Sequence, residues 1–69
     1  MSDHTYRVVD IVGSSPTGVT EAITSAVDRA STTLDHLDWF VVSEIRGHIA
    51  DGQVAHYQVS LEVGFQLRD

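Results

Sequence analysis

Residues 39–67, WFVVSEIRGHIADGQVAHYQVSLEVGFQL, form two stretches rich in β-branched and aromatic residues, separated by Asp51-Gly52. Asp-Gly is a strong hairpin signal because both residues tolerate positive φ. Residues 39–49 therefore predict one strand. The following stretch alternates apolar with polar residues, which is typical of a second strand with one buried face. The apolar positions of that strand are Ala55, Tyr57, Val59, Leu61, Val63, Phe65 and Leu67.

Two further elements precede this hairpin. Residues 6–12 are rich in β-branched residues and predict a strand that ends at Gly13. Ser15 and Pro16 predict a helix start, since serine caps free N–H groups and proline suits the first helical position. The helix is expected to fade near Thr33. Its apolar stripe, which recurs at three- and four-residue steps, consists of Val19, Ala22, Ile23, Ala26, Val27, Ala30 and Leu34.

The element order β-α-β-β predicts an α+β fold, with a three-stranded antiparallel sheet wrapped around one helix. We expect a single domain over residues 1–69, whose core combines the helical stripe, the alternating strand, Phe40 and Val42. A core of this size gives only marginal stability, and the 69-residue chain has no cysteine for disulfides. Self-association is therefore expected.

The charge balance excludes several partners. Four Arg and no Lys against ten acidic residues give a net charge of −6. This disfavours nucleic acids and anionic membranes, which require basic surfaces. No apolar run approaches the roughly 18 residues of a membrane-spanning helix. The first five residues lack the basic and apolar regions of a secretory signal, so we expect a cytoplasmic protein.

A two-residue turn at Asp51-Gly52 would define an outward face on the hairpin, opposite the core. In this register Ile45 pairs with Gln58, and Gly64 lies opposite Trp39. The face consists of Trp39, Val41, Ile45, Gln58, Ser60 and Glu62. An exposed tryptophan on so small a domain needs a partner. Trp39 is either a subunit-interface anchor or a stacking platform for a planar ligand, with Gly64 leaving room for it and Gln58 reading its polar edge.

The charged residues allow more than one interpretation. Arg46 either pairs with Glu44 or Asp51 in solvent or clasps a ligand phosphate. Asp35 and Asp38 either hold Ca²⁺ or Mg²⁺ on a symmetry axis or are solvated, as acidic residues near a turn usually are.

The histidines lack zinc-motif spacing. The predicted register places His48 and His56 on opposite faces, so they are interpreted as surface or interface residues. No metal ligand is assigned. Residues 13–18 lack the lysine of a phosphate loop, and no nucleophile motif is present, so an enzyme is disfavoured.

Several blocks, spread over nearly the whole chain, resemble the bacterial dodecins. They are residues 6–16 (YRVVDIVGSSP), 37–40 (LDWF), 44–49 (EIRGHI), 55–59 (AHYQV) and 63–65 (VGF). The resemblance implies a hollow homododecamer of cubic symmetry that binds flavins as antiparallel pairs at two-fold interfaces. It also implies that symmetry-related tryptophans sandwich the flavin rings. The implied role is flavin storage and protection from photochemistry.

By this resemblance, Trp39 matches the stacking residue, Gln58 the residue that reads the ring edge, and Arg46 a contact to a phosphate or to coenzyme A. Val41 and Ile45 complete the expected cofactor site. FMN is the expected cofactor, with riboflavin or FAD as alternatives and coenzyme A as a further ligand.

Two departures from the family pattern bear on the ligand. Gln66 replaces a basic residue that relatives often carry, and lysine is absent. Both weigh against strong coenzyme A binding. The alternatives to a flavin store are an oligomeric interaction module without flavin and a coenzyme A-binding shell. A flavin-dependent redox enzyme is disfavoured because stacked rings leave little room for a substrate.

Overall fold

The structure, a computed structural model, describes residues 3–68. The expected domain of residues 1–69 thus includes Met1, Ser2 and Asp69, which lie outside the described residues. The elements are β1 (Tyr6–Ser15), α1 (Val19–Ala30), β2 (Leu37–Ala50) and β3 (Gln53–Gln66). The strands form one antiparallel sheet in the order β1-β3-β2. This confirms the predicted β-α-β-β topology.

Gly13 does not end β1 as predicted, because the strand continues to Ser15. Gly13 pairs with Val59 in the middle of the sheet. A Cβ at this position would lie 2.8 Å from the Cβ of Ala26, closer than real Cβ contacts allow, and would also collide with the carbonyl oxygen of Ala22. The missing side chain therefore lets α1 lie directly on the sheet.

The helix begins at Val19 rather than at Ser15-Pro16. Gly18 is its N-cap residue, and among the described residues no side chain caps the helix. The Ser15 hydroxyl instead accepts a hydrogen bond from the Thr17 backbone N–H at 3.0 Å and is bonded to the Thr17 hydroxyl at 2.9 Å. The serine predicted to cap the helix thus stabilises the turn between β1 and α1.

The helix ends at Ala30, before the predicted end near Thr33. Three successive hydroxyl side chains follow it, and each donates a hydrogen bond to the carbonyl three residues earlier. These donors are Ser31, Thr32 and Thr33. They add to the backbone hydrogen bonds that the Arg29 and Ala30 carbonyls already accept from residues 32–34, so the carbonyl groups at the helix end are well satisfied.

The core is smaller than predicted. Its buried apolar side chains are Ala22, Ala26, Ala30, Val59, Leu61 and Val63. Phe40, which was expected in the core, is 47% exposed. Although Phe40 pairs with the buried Val63, α1 packs mainly on β1 and β3 and leaves much of β2 uncovered. Val42 is partly buried against the core, as expected.

The predicted turn is confirmed, with positive φ at Asp51 (54°) and Gly52 (75°). Ala50 pairs with Gln53, as a two-residue turn requires. β1 pairs only with residues 57–66 of β3. Residues 48–56 therefore form a two-stranded hairpin arm that extends beyond the rest of the sheet, and the described chain measures 55 × 20 × 14 Å.

The predicted register is wrong in the middle of the hairpin. The pairing shifts between His48 and Ile49 and again between Val42 and Glu44. Between these shifts Ile45 lies opposite Val59 instead of Gln58. A β-bulge adds one residue to one strand and so moves the following side chains to the other face.

The shift also changes which polar side chains meet. Arg46 takes the place opposite Gln58, and His48 lies directly opposite His56. The two histidines therefore share a face, contrary to the prediction. Ser43, near the second shift, donates a hydrogen bond from its hydroxyl to the Ser60 carbonyl at 3.1 Å.

We expect Gly13→Ala to destabilise the fold, because the added methyl group must displace the helix backbone at Ala22. Overpacking of this kind typically costs roughly 1–3 kcal/mol, which denaturant unfolding at fixed protein concentration would measure. Gly47→Ala is the matched control, since a Cβ at Gly47 meets the His56 carbonyl at 3.5 Å and Cγ1 of Val54 at 3.8 Å, both ordinary contact distances. Equal stabilities of the two variants would contradict this account of Gly13.

Candidate functional site

The outer face of the sheet, defined as the side opposite α1, is the candidate site. Side chains from all three strands lie on it. According to the register, they include Tyr6, Val8, Val12, Ser14, Trp39, Val41, Glu44, Arg46, His48, His56, Gln58, Ser60 and Glu62. Several of the apolar members are about half exposed. The face thus combines uncovered apolar surface with polar groups that can select a ligand.

Trp39 lies opposite Gly64, as predicted. Its indole atoms Cδ2, Cε2 and Cζ2 surround the position that a Cβ at Gly64 would take. The room above Gly64, expected to admit a flat ligand, is therefore filled by the indole itself. The ring rests on β3 and remains 39% exposed, so part of its surface stays open for stacking.

Tyr6 supports the indole from β1. The two ring centroids lie 6.3 Å apart with the planes inclined at 53°, a favourable arrangement for an aromatic pair. A hydrogen bond to the Asp38 carboxylate raises the pKa of the Tyr6 phenol above its usual 10.0, with smaller contributions from desolvation and from the negative charge of Asp38. The phenol therefore stays protonated at neutral pH.

Arg46 is paired with a carboxylate in the same strand. Its Nη2 lies 2.9 Å from Oε1 of Glu44, and both side chains are more than half exposed. This is one of the two interpretations that the sequence allowed for Arg46. An exposed ion pair contributes only about 0–1 kcal/mol, so an anionic ligand could displace Glu44 at little cost.

Gln58 lies between Arg46 on β2 and Ser14 on β1. These three residues line an open concavity of about 490 Å³ together with Gly47 and the two histidines at positions 48 and 56. The lining that the described part of the chain provides is polar and contains no carboxylate. The concavity can therefore present hydrogen-bond donors and a cation to a ligand.

The aromatic and polar parts of this face do not meet within one chain. Gly64, which supports the indole, and Gln58 are six residues apart on β3. At the usual rise per residue this separation is about 20 Å. Trp39 and Gln58 of one copy are therefore too far apart to contact the same flavin ring.

The two remaining predicted site residues fall on different faces. Val41 lies on the outer face, opposite Glu62 and half exposed. Ile45 lies opposite Val59 and therefore faces the helix side. Its predicted outward position is wrong because of the bulge, and within one chain it does not join Trp39.

The acidic residues considered for a cation are engaged elsewhere. Asp35 lies 4.0 Å from Arg68 in an exposed ion pair, and Asp38 is the carboxylate that raises the pKa of the Tyr6 phenol. Within residues 3–68, no group of three or more His, Cys, Asp or Glu side chains is placed to hold a metal ion. The described part of the chain also contains no helix long and apolar enough to cross a membrane.

The sequence model of the family Dodecin matches residues 5–68. The chain belongs to the dodecin family. A dodecin from Thermus thermophilus is 53% identical over 64 residues, covering 93% of each chain. Calcium dodecin from Mycobacterium tuberculosis is 35% identical over 63 residues, covering 91% of this chain and 89% of the relative.

Solved dodecin structures match the fold closely. The dodecin from Streptomyces davaonensis is 59% identical with a TM-score of 0.94, covering 99% of this chain and 100% of its own. The Streptomyces coelicolor dodecin has the same identity and TM-score, covering 100% of this chain and 99% of its own. The dodecin fold expected from the sequence is thus confirmed.

Sequence reasoning missed two features of this dodecin's outer face. Tyr6 was assigned only to a strand, because its contact with Trp39 depends on the strand order β1-β3-β2. The pairing of His48 with His56 depends on the register shifts. A pattern of alternating residues carries no information about either property, and only the three-dimensional arrangement reveals them.

We expect Gly64→Ala to displace the indole of Trp39, because the new methyl group would occupy its position. Trp39 is the only tryptophan, so tryptophan emission should shift to longer wavelength and its near-ultraviolet circular dichroism should weaken. Gly47→Ala, which has room for its methyl group, should leave both signals unchanged. Identical spectra for Gly64→Ala and the wild type would show that the indole does not rest on Gly64.

Proposed function

We propose that this dodecin binds a flavin and stores it in the cytoplasm, and that it is not an enzyme. The observation that carries the proposal is the fixed, partly exposed indole of Trp39. It rests on Gly64 and is flanked by Tyr6, so it offers a preorganised surface for a planar aromatic ring. Family membership supports the proposal, since the resemblance to flavin-binding dodecins covers the same residues.

In the proposed site, the flavin lies between copies of the chain. Because about 20 Å separate Gly64 from Gln58 along one strand, a ring stacked on Trp39 of one copy meets Gln58 only if another copy supplies it. The side-chain amide of Gln58 both donates and accepts hydrogen bonds and so suits the ring's carbonyl and N–H edge. Val41 extends the apolar surface beside Trp39. The ligand contact expected of Ile45 stays a prediction, which only a neighbouring copy could satisfy.

The proposed assembly is the hollow homododecamer that the dodecin resemblance implies. Half of the six buried core residues are alanines, so the core of one chain gives limited stability. Val12 on the outer face and Ile49 on the hairpin arm are 61% and 69% exposed. Burying such side chains between copies would add stability that a single chain lacks.

We propose FMN as the ligand, with riboflavin or FAD as weaker alternatives. Arg46 is the charged residue that lines the concavity beside Gln58, and a planar guanidinium can bind a phosphate at two points. Coenzyme A is a less suitable ligand because the chain contains only four Arg and no Lys. Stacking on the electron-rich indole would quench the excited flavin by electron transfer, which suits storage and photoprotection.

Trp39→Ala should weaken FMN binding by about 30-fold or more, since aromatic hot spots contribute about 2 kcal/mol or more. Quenching of FMN fluorescence on titration into flavin-stripped protein measures this. The wild type should saturate near one flavin per chain. Phe40→Ala is the matched control, because Phe40 is the neighbouring aromatic residue on the opposite face and is 47% exposed, against 39% for Trp39. Unchanged affinity in Trp39→Ala, or bound flavin as bright as free flavin, would contradict the proposal.

Arg46→Gln should weaken FMN binding by roughly 10- to 100-fold, the range for a hydrogen bond between charged groups. Riboflavin has no phosphate, so its affinity should change little. The same fluorescence titration with both ligands separates the two effects, and Arg29→Gln on the exposed side of α1 is the control. An equal loss for FMN and riboflavin would show that Arg46 does not contact the phosphate.

A further inference from the structure

His48 and His56 form a cross-strand pair at the base of the hairpin arm. They are directly opposite each other in the register, where Cβ atoms lie about 4.5–5.5 Å apart. Both side chains are exposed on the outer face. Both also line the concavity that contains Ser14, Arg46 and Gln58. Two imidazoles at this separation can turn their nitrogens toward one point between the strands.

We propose that this histidine pair chelates a divalent first-row transition metal ion such as Zn²⁺, with one imidazole from each strand. Imidazole is a good ligand for Zn²⁺, Ni²⁺ and Cu²⁺, and Zn–N bonds of about 2.0–2.1 Å fit between opposite side chains. Water completes the coordination, since residues 3–68 place no third His, Cys, Asp or Glu beside the pair.

The surroundings of the pair favour a transition metal over calcium or magnesium. Ca²⁺ and Mg²⁺ prefer oxygen ligands, mainly carboxylates, and no carboxylate of residues 3–68 lines the concavity. A metal-bound histidine usually donates its second ring N–H to a nearby acceptor. The hydroxyl of Ser14 and the side-chain carbonyl of Gln58 are acceptors in the same concavity.

Arg46, whose positive charge lies in the same concavity, repels a bound metal ion only weakly. The guanidinium of Arg46 is paired with the Glu44 carboxylate at 2.9 Å. Along β2, Arg46 lies between Glu44 and His48, so Glu44 is on the side of Arg46 that is away from the histidines. The positive charge is therefore largely compensated on the side away from the histidines. The whole chain also carries a net charge of −6, which favours a bound cation. The metal site does not depend on the proposed flavin function.

Isothermal titration of Zn²⁺ into flavin-free wild-type protein tests the proposal. We expect saturable binding of one ion per chain. His48→Gln and His56→Gln should each reduce the affinity at least tenfold, and the double variant should lose this binding. His36→Asn is the control and should leave the Zn²⁺ affinity unchanged. Asparagine is chosen because it tolerates the positive φ of 63° at that position. An excess of Ca²⁺ should not displace Zn²⁺.

Histidine NMR signals give a second measurement that needs no substitution. Addition of Zn²⁺ to the wild type should shift the imidazole resonances of His48 and His56 and leave those of His36 in place. Zn²⁺ should also raise the unfolding temperature of the wild type, since a ligand that binds only the folded state stabilises it. Unchanged Zn²⁺ affinity in the double variant, or shifts confined to other histidines, would overturn the proposal.

Discussion

The helix is too short to cover the sheet that it packs against. The twelve residues of α1 extend about 18 Å, whereas the fourteen residues of β3 extend about 46 Å. Contact with β1 and β3 is possible only because Gly13 lets Ala22 and Ala26 approach the sheet closely. The core is consequently confined to the central part of β3. Much of β2, the hairpin arm and the whole outer face remain outside it, and these are the surfaces that carry the candidate sites.

Two compensating register shifts determine which side chains meet on the outer face. Counting away from the turn, the first residue without a cross-strand partner is Ala55 of β3. Beyond it, the pairing of the two strands is shifted by one residue. The second residue without a cross-strand partner is Ser43 of β2, and beyond it the original register returns. Between these two positions Arg46 meets Gln58 and His48 meets His56. Both pairings would be lost in a regular hairpin, because each bulge exchanges the two faces of the strand.

This compensation explains how much of the site could be predicted from the sequence. Counting outward from Asp51-Gly52 correctly pairs Trp39 with Gly64 because the two shifts cancel before Trp39 is reached. The same counting misplaces Ile45, which lies between the shifts. A bulge depends on how the strand packs against its neighbours, and local alternation does not encode that. The element order and the outward tryptophan were predictable because turn residues and periodicity are local properties.

Gly13 illustrates the same limit for the fold. A glycine after a run of β-branched residues usually marks the end of a strand, which is why the sequence predicts that β1 ends at Gly13. Its actual role is to admit the helix, which is apparent only once Ala22 and Ala26 are seen opposite it. The helix start predicted at Ser15-Pro16 is wrong for a related reason, since a serine hydroxyl can stabilise a turn as well as cap a helix.

The separation of Trp39 from Gln58 links ligand binding to assembly. One chain carries an aromatic surface and a polar surface about 20 Å apart, so an isolated copy offers only half of the proposed site. A flavin that contacts both surfaces binds the assembled state and not the separated chains. By mass action, such a ligand must stabilise the assembly, and assembly must in turn strengthen ligand binding. Storage and release of the proposed flavin are then controlled by the same surfaces that the short helix leaves uncovered.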